Sequence, residues 1–143
     1  MLENLYTTLR SIQSSSATCH LLPTYTRIAI VNDALKPVEW CGSSRKDLRA
    51  CPADVRARAG GELYQLQRGL APTDWKPITS VGAGVREIRI QVNGQFRVLY
   101  VAKFEEAIYV LHVFEKKTRK TGVRDLVLAR QRLTELVNLR RRE

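Results

Sequence analysis

With two histidines, three cysteines, one methionine and an aromatic share of 7%, this 143-residue chain is short of several kinds of chemistry. Cys19, Cys41 and Cys51 are odd in number and show no C-x-x-C spacing, which argues against both a disulfide framework and a zinc site. Free, mostly buried thiols in a reducing compartment are the simpler reading. Cys19-His20 places two metal ligands side by side, but without further partners they make no site. No apolar run approaches the roughly 18 residues that span a bilayer. The N-terminus lacks a basic region followed by an apolar stretch and a small-residue cleavage site. The expectation is a cytoplasmic protein with no membrane segment, no cofactor and no metal.

Acidic residues are scarce too: 14 Asp and Glu stand against 24 Lys and Arg, for a formal net charge of +10. Such a balance favours a polyanionic partner, nucleic acid or an acidic protein, over a merely soluble basic domain. The excess is not spread evenly. Before Lys36, Arg10 and Arg27 cancel Glu3 and Asp33, so 22 basic and 12 acidic residues fall in Lys36–Glu143.

The chain therefore divides at about residue 35. Residues 1–35 carry a small polar stretch, Ser11–Thr18, and one short strand candidate at Arg27–Val31; they read as an extension without chemistry of its own. From Lys36 the local signals agree. Val38–Cys41 reads as a strand closed by Gly42, and Ser44 with Asp47 has capping-box-like spacing for a short helix to Ala50. Pro52 suits the first turn of a second helix, with Asp54 near its positive end. Val55, Ala59, Leu63 and Leu66 share one face, and Gly69 stops it. Gly60-Gly61 in mid-helix costs about 1 kcal/mol each against alanine, which suggests a close packing approach there. Ala71–Val81 reads as a loop. Gly84–Val92, Gln95–Lys103 and Ala107–Glu115 then read as an antiparallel meander. An amphipathic helix from about Thr121 presents Leu126, Ala129, Leu133 and Leu136 on one stripe and ends in Arg140-Arg141-Arg142. The sum is an α+β domain over 36–143: a small antiparallel sheet, two helices before it and one after, with helices on one sheet face.

This order, with Lys36–Trp40 and Gly42–Arg49, resembles phage-related proteins of the RelE/HigB toxin superfamily. The resemblance continues through Gly84–Arg89, Phe96–Tyr100 and Leu111–Thr118, covers nearly all of 36–136 and none of the first 35 residues. It implies a RelE-like fold and the toxin of a type II toxin–antitoxin system: a metal-independent endoribonuclease that cuts messenger RNA, usually on the ribosome, and is silenced by a cognate antitoxin, here expected to be a helix-turn-helix protein. Members of this group often begin with methionine just before the Lys-Pro segment. Leu35 occupies that place here, which points to an over-long gene start; mass spectrometry of the native N-terminus is the check.

Such a nuclease uses the RNA 2′-hydroxyl as nucleophile, with a base, an acid and cations to stabilise the phosphorane. Strand register tests which side chains meet. A three-residue loop, Val92-Asn93-Gly94 with Gly94 left-handed, pairs Arg89 with Arg97 and gathers Ile88, Ile90, Phe96, Val98 and Tyr100 on one apolar face; a two-residue Asn93-Gly94 turn mixes them with charges. The first register is expected. Extended across a loop at Glu105-Glu106, it puts Tyr109, Leu111 and Val113 on the core face, and His112, Phe114 and Lys116 on an open face with Arg97. Arg89, Arg97, His112 and Lys116 are the catalytic candidates. Lys76, Lys103, Phe114, Lys117, Arg119 and Lys120 are the RNA-binding ones, Phe114 as a stacking platform.

Each has a plainer reading. His112 lies between apolar neighbours and suits a hydrogen-bonded structural role; Phe114 suits the core; Arg89 and Arg97 suit ion pairs with Glu87 or helix carboxylates; and Lys116–Lys120 suits a solvated strand end. Some RelE relatives place a tyrosine after the last strand as acid or base. Lys117–Thr121 has none, so proton transfer falls to His112 or a lysine. Two other functions fit the same fold: a ParE-like protein that poisons gyrase, and a non-catalytic phage-derived protein that only binds its antitoxin.

Overall fold

The computed structural model describes residues 34–143. The strand expected at Arg27–Val31, the Cys19-His20 pair and the polar extension lie outside the described residues. The chain runs β1 (Val38–Trp40), α1 (Ser44–Arg49), α2 (Ala53–Gln67), β2 (Trp75–Pro77), β3 (Val85–Gln91), β4 (Gln95–Val101), β5 (Ile108–Glu115) and α3 (Val123–Arg142). This is the expected α+β order, with a strand in the segment read as a loop. β2 was not legible because it spans three residues and ends in Pro77, which suits a sheet edge and nowhere else in a sheet.

The sheet order is β1-β5-β4-β3-β2. β3, β4 and β5 form the antiparallel meander, and β2 adds antiparallel to β3. β1 instead runs parallel to β5, pairing Val38 with Ile108 and Trp40 with Val110, so the sheet is mixed rather than purely antiparallel.

The first hairpin has the expected register, with Arg89 opposite Arg97 and Gln91 opposite Gln95 as the last pair. Asn93 (φ 48°) and Gly94 (φ 145°) both take positive φ, and the Val92 N–H donates to the Gly94 carbonyl at 3.1 Å. The second hairpin departs from strict alternation. Leu99 pairs with His112 but Tyr100 pairs with Val110, so Leu111 is the extra residue of a bulge. Ile108, Val110 and Val113 consequently join one core, while Leu111, Tyr109 and Phe114 face the opposite side. The expected grouping of Tyr109, Leu111 and Val113 on one face is corrected by this single inserted residue.

Both sheet faces are covered, not one. On the first, Val55, Ala59, Leu63 and Leu66 of α2 pack on Ile88, Ile90, Phe96, Val98, Tyr100, Ile108, Val110 and Val113. On the second, Ala129 and Leu136 of α3, flanked by Leu126 and Leu133, pack on Val85, Leu99, Val101 and Leu111. Each such fully buried side chain contributes about 1.5–3 kcal/mol of transfer free energy. The cause is visible in β4, where Phe96–Val101 is buried without a break and a one-sided sheet would strand half of it in water.

Local details refine two caps and overturn one packing inference. Ser43, not Ser44, precedes α1, and its Oγ donates to Asp47 Oδ2 at 2.8 Å. Ser44 is buried and donates to the Val110 carbonyl at 3.1 Å, tying α1 to β5. Pro52 is the N-cap of α2, and Gly69 (φ 79°) ends it. Among the described residues, a Cβ added at Gly60 or Gly61 would have no neighbour within 4 Å. No described residue makes the close approach expected there.

Candidate nucleic-acid interface

The α3-side face of the sheet changes character along its strands. Towards one end it is apolar and lies under α3. Towards the other it carries Lys76, Glu87, Arg89, Arg97, His112 and Phe114, because the period of two in β3 and β4 puts Glu87 and Arg89 beside Leu99 and Arg97.

This end is not the open cationic face expected. Arg97 is 4% exposed, and its Nε lies 3.3 Å from Oε1 of Glu87, which is fully buried. Its other nitrogens donate to the Phe96 carbonyl at 2.9 Å and to Gln95 Oε1 at 3.2 Å. Arg89 is bound to Asp74 through Nε at 2.9 Å and Nη2 at 2.7 Å. Two arginines sit opposite one another without strain because each has its own carboxylate. The plainer reading of both, an ion pair, describes their positions; Asp74, in the stretch read as a loop, was the unforeseen partner.

His112 is similarly enclosed. Its Nε2 lies 2.8 Å from Asp125 Oδ1, its Nδ1 faces Arg132 Nη1 at 3.4 Å, and its ring stacks on Phe114 at 5.0 Å. A guanidinium can only donate, so Nδ1 is the acceptor in that contact and the proton resides on Nε2, donated to Asp125. Arg132 also donates to the Leu111 carbonyl at 2.8 Å and to Ser43 Oγ at 2.7 Å, joining α3 to β5 and to the start of α1. Sequence reasoning missed Asp125 and Arg132. The signal was there: Asp125, Ala129, Arg132 and Leu136 follow 4-3-4 spacing, which puts two charged residues on the buried stripe of α3.

Above this buried layer the surface is strongly basic. One hollow, of about 490 Å³, is bounded by Lys76 and Pro77 of β2, by Lys116, and by Arg119 and Lys120 of the loop before α3. A second, of about 210 Å³, adjoins it through Lys116 and Lys120 and is lined by Phe114, Glu115, Lys117, Gly122 and Asp125. Together they make one groove into which two distant segments send lysine and arginine. Lys76 lies 3.8 Å from Glu87 Oε1, which holds it over the groove while leaving it half exposed. Lys117 sits 4.0 Å from Glu115. Of the ten residues singled out from sequence, Lys76, Phe114, Lys116, Lys117, Arg119 and Lys120 line the groove, Arg97 and His112 lie buried in the sheet layer with which its residues are continuous, and Arg89 pairs with Asp74. Lys103 is elsewhere: its Nζ donates to the Ala83 carbonyl at 3.0 Å and sits over Phe104.

Among the described residues, no tyrosine or thiol lines this groove. Burial pushes the Tyr100 phenol up, with the Arg86 charge opposing, and it pushes up Tyr109, which donates to Glu106. Burial likewise raises the Cys41 and Cys51 thiols, so neither is a ready thiolate.

The family model of phage-derived Gp49-like proteins (DUF891) matches residues 46–134, more than half of the chain. The chain belongs to that family. The matched span runs from α1 into α3 and contains every residue of the Gp49-like groove. No curated protein matches the chain significantly. Among the described residues, no helix is long and apolar enough to cross a membrane.

Proposed function

We propose that this Gp49-like chain is the toxin of a type II toxin–antitoxin pair with a RelE/HigB-type action: it binds messenger RNA in the basic groove, cuts it on the ribosome, and is silenced by a helix-turn-helix antitoxin. One observation carries the reading: Lys76, Lys116, Arg119 and Lys120, from two segments far apart in sequence, converge on a groove that also holds an aromatic ring. Lysines and arginines so grouped bind a phosphate backbone and lower the energy of a dianionic phosphorane. Phe114 offers a base a face on which to stack. Proton transfer is assigned to Lys116, which lines both hollows, while His112 fixes Asp125 and props Phe114.

The test is brief induction of the protein without its antitoxin, followed by primer extension on cellular messages. Growth arrest with new message ends is the expected result, relieved in Lys116→Ala and Lys120→Ala variants that still fold. Arrest that persists unchanged in both variants would sink the assigned groove.

The enclosure of His112 favours a second reading, in which the domain binds without cutting. Its side chain is 8% exposed and both ring nitrogens face protein partners. A ParE-like toxin would leave messages intact and raise a DNA-damage response through gyrase. A purely antitoxin-binding protein would be harmless when expressed.

A further inference from the structure

We propose that the smaller hollow, beside Phe114, is a nucleobase subsite that favours guanine over uracil in single-stranded RNA, with Asp125 reading the donor edge of the base. The proposal rests on the RNA-binding reading above and names what part of the groove takes up.

A groove for phosphates gains from every cation and loses from every carboxylate. Yet the smaller hollow has Asp125 and Glu115 on its wall among Lys116, Lys117 and Lys120. Glu115 is partly neutralised by Lys117 at 4.0 Å. Asp125 is differently placed. Its Oδ1 is the oxygen engaged by His112, and its side chain remains 31% exposed. Its Oδ2 lies against residue 122, where a Cβ would stand 3.0 Å away; glycine leaves that oxygen uncovered. A carboxylate fixed by one oxygen and open at the other is an acceptor for an N–H donor, and it repels phosphate and carbonyl oxygens alike.

The aromatic wall says what carries that donor. Phe114 is stacked on His112 at an interplanar angle of 20°, so one face of the ring is taken by the imidazole and the ring is held steady where it borders the hollow. At about 210 Å³ the hollow is smaller than the roughly 300–1,000 Å³ of a drug-sized pocket and suits a single flat heterocycle. Stacking accepts any base, so the choice falls to the carboxylate. Guanine presents two adjacent N–H groups on its Watson–Crick edge. Uracil presents one between two carbonyl oxygens, which Asp125 repels. Guanine is therefore favoured and uracil disfavoured.

The experiment is fluorescence anisotropy with the full chain and six-nucleotide RNAs bearing 2′-O-methyl riboses, which remove the nucleophile and prevent cutting. The probes carry one central guanine, inosine or uracil in a uracil background. Guanine is expected to bind about tenfold more tightly than uracil, with inosine, which lacks the amino group, in between. Asp125→Asn keeps an oxygen for His112 but presents an amide to the hollow, and it should erase the preference. Gly122→Ala should do the same without touching any charge, since residue 122 has φ −59° and ψ 141°, which alanine adopts freely. Should Asp125→Asn fail to fold, Gly122→Ala carries the test alone. Phe114→Leu should weaken the guanine and uracil probes alike. Binding of all probes with equal affinity would overturn the subsite and leave the RNA reading standing, as would a guanine preference that survives Gly122→Ala. Absence of binding to every probe would overturn both.

Discussion

Glu87 has no exposed atom, and its nearest opposite charges are Arg97 Nε at 3.3 Å and Lys76 Nζ at 3.8 Å. Such a pair adds little over an apolar one of equal volume, but breaking it leaves a bare charge in the sheet. Arg97→Ala is therefore expected to lower stability by about 3–5 kcal/mol, whereas Glu87→Leu with Arg97→Met should recover most of the loss; urea unfolding of the two proteins checks both. Loss of the proposed toxicity in Arg97→Ala would follow from unfolding, so the groove lysines are the cleaner probes of the proposed phosphate contact. Gly42 is a second sensitive position. It has φ 54°, and a Cβ there would stand 2.5 Å from Arg132 Nε, so Gly42→Ala should cost about 1–3 kcal/mol and loosen the Arg132 bonds to Ser43 and Leu111. The opposition of Arg89 and Arg97 was legible in the sequence, because only one hairpin register collects the apolar residues of β3 and β4 on one face. Of their partners, Glu87 was legible and Asp74 was not. Asp74 lies 15 residues before Arg89, and Asp125, which was also missed, lies 13 residues after its partner His112; pairing across such distances is decided by the packing of whole elements.

α2 is the element whose sequence fits its surroundings least. Gly60 and Gly61 sit in its middle, on an exposed side, with no described residue where a Cβ would go. Each alanine replacement should stabilise the fold by about 0.4–1 kcal/mol by restricting the unfolded chain, read as a higher melting temperature. The sequence alone suggested the opposite, since mid-helix glycine commonly marks a tight contact and nothing in the one-dimensional pattern separates that case from an exposed one. α3 is held at its far end by a different device. Arg140 binds both oxygens of Glu106 and lies over Phe104, and the Glu106 carboxyl is held down to about 2 from 4.5, chiefly by that hydrogen bond. A carboxyl depressed in the folded state contributes stability above its unfolded value and loses it as pH falls through the folded one. The last turns of α3 should therefore stay docked at pH values above 4.5 and loosen progressively as pH falls toward about 2, measurable by amide exchange. Glu106→Gln should weaken the contact at neutral pH and remove this carboxyl's part of the pH dependence.

At the scale of the molecule, the element order and the apolar face of the meander were legible from the sequence, but the layering was not. The unbroken run Phe96-Arg97-Val98-Leu99-Tyr100-Val101 carried the information that β4 is buried on both sides; the single arginine in it disguised the pattern by reading as an exposed position. The bulge at Leu111 hid the rest, because one inserted residue exchanges the faces of everything before it along β5. The groove was half legible. Its lysines could be named from composition and spacing, while the Asp125 and Arg132 side chains beneath them come from a helix whose interior stripe was counted only in hydrophobic residues.

The parallel pairing of β1 with β5 has a consequence in time. The Ser44 hydroxyl finds its acceptor 66 residues downstream, and Val38 waits for Ile108. The meander between them can form while the chain is still growing, whereas α3, which follows it, brings Asp125 and Arg132, and the loop just before α3 brings Arg119 and Lys120. A chain grown only through β5 therefore holds the strands of the sheet but only part of the lining of the groove. The lining of the groove is complete only once α3 has followed the sheet.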